Sequence, residues 1–188
     1  MAASHASSRS QPMMTLNINN LVLSLTNLYA LRGIYMALSQ AVTFAEPKFY
    51  LLFGALSLSM CASVAYHWCE RSYRGHLHMG GRRILARNMD AVAEERTLLV
   101  VDRVLSLTSI AAVVFACSPD AVLRVASAPQ SAWVLPLAVA CALVGELNPV
   151  MSGTFLCVSG YAWFHGVGWH ILVFHLPVLC IAEATKNR

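Results

Sequence analysis

Charge is scarce in this sequence. Asp, Glu, Lys and Arg together make up 12% of its 188 residues, about half the share of a soluble domain. That shortage excludes a water-soluble globule and a disordered tail. Cysteine pairs with metal or redox spacing are also missing. The six cysteines (61, 69, 117, 141, 157 and 180) include no CxxC and no zinc-finger spacing, which excludes a disulfide scaffold, and they read as small apolar core residues. No polar stretch is long enough for a large extramembrane domain. Residues 1–16 lack a compact apolar core with a cleavage site, so a cleaved signal peptide is not expected and 1–17 reads as a flexible tail.

What is abundant is apolar sequence. Hydrophobic residues make up 57% of the chain and mean hydropathy is +0.59. A membrane-spanning helix needs about 20 apolar residues. The expected fold is therefore all-α, a polytopic membrane helix bundle forming one domain over 18–184. About five spans are expected, at 21–42, 49–68, 98–117, 132–144 and 161–182. Glu46-Pro47-Lys48 separates the first two, and 145–149 is a breaker cluster. Arg32, inside span one, is expected to snorkel or to face the bundle interior.

The net charge of +4 is unevenly placed. Six of the thirteen cationic residues (Arg71, Arg74, Arg82, Arg83, Arg87 and Arg96) share one stretch with Glu70, Asp90, Glu94 and Glu95. Loop 70–97 therefore reads as a cytoplasmic loop under the positive-inside rule, and no nucleic-acid partner is expected. His76 and His78 read as solvated loop residues, and His5 as part of the tail.

Polar groups inside apolar spans are costly and mark sites. Ser63 and His67 lie four apart at the end of span two, on one helix face. Asp102 opens span three, with Ser106 and Ser109 on its side. His165, His170 and His175 lie in the last span. Five crossings bring the end of span two and the starts of spans three and five to one membrane face, so His67, Asp102 and His165 or His170 meet there. Three imidazoles with an open position form the usual catalytic zinc arrangement. Interhelical hydrogen bonding by the same side chains is the alternative, and spacing alone leaves both open.

Several motifs carry a family resemblance. Thr26-Asn27-Leu28-Tyr29-Ala30-Leu31, Ser63-x-x-Tyr66-His67-x-Cys69-Glu70, Asp102-x-x-x-Ser106-x-x-Ser109, Tyr161-x-x-Phe164-His165 and Trp169-His170-Ile171-Leu172 resemble the transmembrane protein eight and myomaker group. That group belongs to the CREST superfamily, with alkaline ceramidases, adiponectin-type receptors and GPI-anchor remodelling proteins. The resemblance covers most of 20–183. It implies a seven-helix fold, an intramembrane zinc as cofactor and hydrolysis of an amide or ester in a membrane lipid. Carried over by position, His67, His165 and His170 would bind the metal, with Ser63 and Asp102 catalytic.

The chain departs from that pattern twice. Residues 118–160 hold one clear crossing where the family has three, a shortened version of the fold. The family's histidine pair is His-x-x-x-His, whereas His165 and His170 are five apart, about 140° around a regular helix. Gly166 and Gly168 permit a bulge or an unwound turn that would bring them together. A second functional reading is therefore a non-catalytic membrane protein with a degenerate site, acting in lipid sensing, membrane organisation or partner binding. Transport has less support, with no repeat and few acids inside spans.

Overall fold

A computed structural model describes residues 18–69, 89–147 and 161–186. The expectations for the tail, for 70–88 and for 148–160, with His5, His76, His78 and Cys157, lie outside the described residues. Every element among the described residues is helical: α1 (Ile18–Asn27), α2 (Ala30–Phe44), α3 (Pro47–Cys69), α4 (Met89–Cys117), α5 (Pro119–Ser127), α6 (Val134–Leu147), a π-helical segment (Ala162–His170) and α7 (Ile171–Thr185) that continues it. Four stretches are long and apolar enough to cross a membrane: Ile18–Phe44, Pro47–Trp68, Arg96–Cys117 and Ala162–Thr185. The all-α membrane bundle is thus the observed fold.

The outer surface has membrane character. Tyr35, Leu51, Leu58, Leu107 and Phe115 are all exposed, Tyr35 by 72%, and such a patch would not stay dispersed in water. The interior is finely divided. The buried face of α2 is Ala30, Gly33, Ile34, Ala37 and Ala41, and small residues let backbones approach where lipid supplies no hydrophobic drive. Arg32 is exposed on the outer surface. The expectation that it faces the bundle interior therefore does not hold.

Three differences from the sequence reading have local causes. The first span is broken into α1 and α2. Around Leu28 and Tyr29 the backbone bonds shorten to i−3 pairs (Leu28 N–H to Leu25 O, 3.0 Å; Tyr29 N–H to Thr26 O, 3.2 Å). Thr26 and Asn27 both donate side-chain hydrogen bonds to Leu23 O, at 3.0 and 2.8 Å. Such side-chain competition bends helices. Second, α4 begins at Met89, so residues 89–97 of the expected loop are helical. Third, the expected span 132–144 exists as α6, which runs on through Gly145 to Leu147 where a breaker was expected, but its 14 residues reach only about 21 Å against a hydrocarbon core of about 30 Å. Its start is set back by the turn at 128–133, where Ser131 donates to Val125 O.

The α2–α3 break falls where Glu46-Pro47-Lys48 placed it. Ala45 ends α2 in the left-handed region, at φ 51°, and Pro47 opens α3 at a position that needs no N–H. Ser59 Oγ lies 3.4 Å from Ser106 Oγ, which fixes the antiparallel register of α3 on α4. At the far end Arg124 Nε donates to Glu183 Oε1 at 2.8 Å, tying α5 to α7. Cys117 and Cys180 are buried free thiols, while Cys61 is exposed and Cys141 half-buried. The core expectation therefore holds for two of the four described thiols.

Candidate metal centre

The last turn of α3 carries His67, fully buried. Asn20 on α1 donates its Nδ2 to His67 O (2.8 Å) and to Trp68 O (3.4 Å), satisfying carbonyls that a helix end leaves open. The last span contributes His165 and His170, 5% and 3% exposed. Between them the chain is π-helical. A π-helix bonds i to i+5, so residues five apart stack as residues four apart do in an α-helix. The spacing that would separate this pair by about 140° in an α-helix therefore brings it together here.

The three rings form a closed triangle. Centroids are 5.3 Å apart for His67 and His165, 4.9 Å for His67 and His170, and 4.9 Å for His165 and His170. One ligand nitrogen from each lies within 4.8 Å of the other two. A point no more than about 2.8 Å from all three therefore exists, against about 2.0–2.1 Å for a zinc–imidazole bond. Shifts of under ~1 Å per nitrogen would close the difference, within the reach of small χ changes. The buried atoms His67 Nε2 and His165 Nδ1 make no hydrogen bond, and neutral imidazole is a usual zinc ligand. The residues fit the ion.

Glycine makes the wide π turn packable. A Cβ on Gly168 would lie 2.7 Å from both Cβ and Sγ of Cys141, so α6 touches the segment's backbone there. On the α1 side, a Cβ on Gly166 would lie 3.3 Å from Thr26 Oγ1 and from Leu23 Cδ2. Gly145 of α6 backs onto His165 in the same way, at 3.2 Å from its N. The pairs Gly145–His165 and Cys141–Gly168 set α6 antiparallel to the last span, which returns its C-terminal end to the level of the histidines.

Further aromatic and hydroxyl groups support the triangle. Tyr161, buried and four residues before His165, stacks on it with centroids 5.0 Å apart and planes at 25°. Tyr66 lies against His67 at 4.8 Å. Thr26 Oγ1 is 3.0 Å from His170 Nδ1. His175 stands outside the cluster; its Nδ1 is 3.1 Å from Tyr29 Oη, a helix–helix contact of the expected kind.

Ser63 and Asp102 are buried on the same two helices as Ser59 and Ser106, 4% and 8% exposed. The Ser59–Ser106 contact sets a register in which Ser63 and Asp102, each one turn nearer the histidine end, fall at one level. That level is one α-helical turn, about 5.4 Å, below His67. The structure brings the three predicted histidines together and sets the serine–aspartate pair at the next level of the same bundle end. Sequence reading missed Asn20, placed Thr26 only within the family motif of the first span, and took Gly145 for a helix breaker. Their only signal was polar or small character on the inner face of a span.

No protein-family model, curated protein or solved structure matches this chain.

Proposed function

We propose that this membrane protein is a zinc-dependent hydrolase of an amide or ester bond in a membrane lipid, of the CREST type. The observation that carries the reading is the buried triangle of His67, His165 and His170, with ligand nitrogens within 4.8 Å at one end of an apolar bundle. Three imidazoles leave a fourth zinc position open, as catalytic sites do and structural sites do not. A zinc ion held there supplies Lewis acidity and makes water a competent nucleophile at neutral pH. Asp102, one turn away, takes up the proton released when water attacks the lipid carbonyl, then returns it to the leaving amine or alkoxide. Ser63, at the same level, donates its hydroxyl to the oxygen that becomes negative in the tetrahedral state. The surrounding helices bury the three rings and exclude bulk water.

The test is metal analysis of detergent-purified protein beside hydrolysis of labelled ceramide and phospholipid in mixed micelles. Wild type is expected to hold about one zinc per chain and His67→Ala almost none. Asp102→Asn is expected to keep the zinc and lose roughly 10²–10⁴-fold in rate, the range of a general acid–base group. Equal, negligible zinc in wild type and His67→Ala refutes the metal reading. Zinc without hydrolysis of either lipid class refutes the enzyme reading and favours a non-catalytic metal site.

A further inference from the structure

We propose that Thr26 is the positioning residue of the metal centre, holding His170 as its Nδ1–H tautomer so that Nε2 is the atom presented to the other two histidines. The inference rests on the metal reading above and concerns a residue on the first span, 144 positions from its partner.

The argument is a proton count. Thr26 Oγ1 has two polar neighbours, Leu23 O at 3.0 Å and His170 Nδ1 at 3.0 Å. A hydroxyl carries one proton and two lone pairs, and a carbonyl oxygen carries no proton. The 3.0 Å contact to Leu23 O therefore needs the hydroxyl proton, because two bare oxygens at that distance repel. With that proton committed, Thr26 Oγ1 can only accept from His170, so Nδ1 carries the hydrogen. Neutral imidazole has a single N–H, which leaves Nε2 with its lone pair directed away from Thr26. Metal-binding histidines commonly donate their second nitrogen to a fixed acceptor, which sets tautomer and ring orientation. Here a threonine hydroxyl, together with the Leu23 carbonyl on which it is anchored and which His170 also bonds, fills that role.

The local structure serves the arrangement. The α1–α2 break follows Asn27, which also donates to Leu23 O, at 2.8 Å, so both side chains converge on one carbonyl. Gly166, one turn before His170, lets α1 approach until a Cβ would stand 3.3 Å from Thr26 Oγ1. A side chain at 166 would push the hydroxyl away from His170.

Thr26→Val keeps shape and removes the hydroxyl; Thr26→Ser keeps the hydroxyl. Full-length wild type and both variants are purified in detergent, and zinc affinity is measured by competition with a chromophoric chelator. Cobalt-substituted samples give the visible spectrum of the site. Thr26→Val is expected to bind zinc 10–100-fold more weakly, the usual cost of losing such a partner, with an altered cobalt spectrum. Thr26→Ser is expected to restore both. Wild-type zinc affinity and cobalt spectrum in Thr26→Val overturn the proposal while leaving the metal reading intact; no zinc in wild type overturns the metal reading itself. Should Thr26→Val fail to fold, ¹⁵N-histidine spectra of zinc-free wild type, assigned with His170→Gln, decide the matter. An Nδ1–H signature for His170 supports the proposal and an Nε2–H signature refutes it.

Discussion

Replacing Gly168 by alanine tests how tightly the π-helical segment is locked against α6. The new Cβ would stand 2.7 Å from both Cβ and Sγ of Cys141. Carbon atoms reach their optimum at about 3.5–4.0 Å, so roughly 0.8 Å or more must be absorbed. Sγ can rotate away, but Cβ is fixed to the α6 backbone, so one of the two helices has to move. Overpacking of this kind costs about 1–3 kcal/mol. Gly168 also lies between two of the three histidines. A displacement near 0.8 Å equals the whole adjustment that each ligand nitrogen needs to reach a zinc. Gly168→Ala should therefore lower the unfolding midpoint in detergent and weaken zinc binding about tenfold or more, that is by at least ~1.4 kcal/mol. Cys141→Gly alone should cost about 1 kcal/mol, the penalty of glycine within a helix. Combined, the changes should be less damaging than their sum by about 1 kcal/mol or more, because the second removes both atoms the first strikes. Additivity to within about 0.3–0.5 kcal/mol, the scatter of independent sites, would refute the close-approach reasoning. So would a Gly168→Ala protein with unchanged stability.

Two further changes probe backbone geometry elsewhere. Deleting Val167 converts His-x-x-x-x-His to His-x-x-x-His, which an α-helix holds within about 40°; zinc affinity should stay within about tenfold of wild type, since all three imidazoles stay together, whereas one ligand of a structural zinc site carries roughly 3 kcal/mol. Inserting alanine after Val167 instead swings His170 by about 100° and should cost on the order of 100-fold, one ligand's share; chelator competition separates the two, and equal losses would show that register is not what joins the pair. Ala45, at φ 51°, carries a left-handed penalty of about 1–2 kcal/mol, partly offset on replacement by the 0.5–1 kcal/mol that glycine loses in chain entropy; Ala45→Gly should raise the thermal midpoint slightly, and a fall would argue against strain at that turn.

The spans were legible because the bilayer imposes a length and a composition that few residues can break. The meeting of His67 with His165 or His170 was legible too, from topology, since the two crossings between them, an even number, return the chain to the same face. The π-helical segment was legible as a bulge that Gly166 and Gly168 permit. Gly145, and the contacts with α6 and α1 through which all three glycines work, were not, since no local propensity reports them. The α1–α2 break was hidden because Thr26 and Asn27 are tolerated within helices, and only their shared grip on Leu23 O turns them into a breaker. Thr26 stood in a family motif without a role of its own, because that role rests on a partner 144 positions away.

The long contact between Thr26 and His170 has a consequence for biosynthesis. The histidine cluster and its support draw on the first span, the end of α3 and the last span, so the triangle forms only when all three are inserted. His67 leaves the ribosome roughly 100 residues before His165, a delay of about 5–20 s at ordinary elongation rates. Through that interval α3 and α4 carry His67, Ser63 and Asp102 in the bilayer with neither later histidine beside them, a costly state for polar side chains. The half-made bundle is thus the molecule's most vulnerable form, and membrane quality control would meet it there. On the metal reading proposed above, zinc would be taken up only once the last helix has docked, and loading would mark completed assembly.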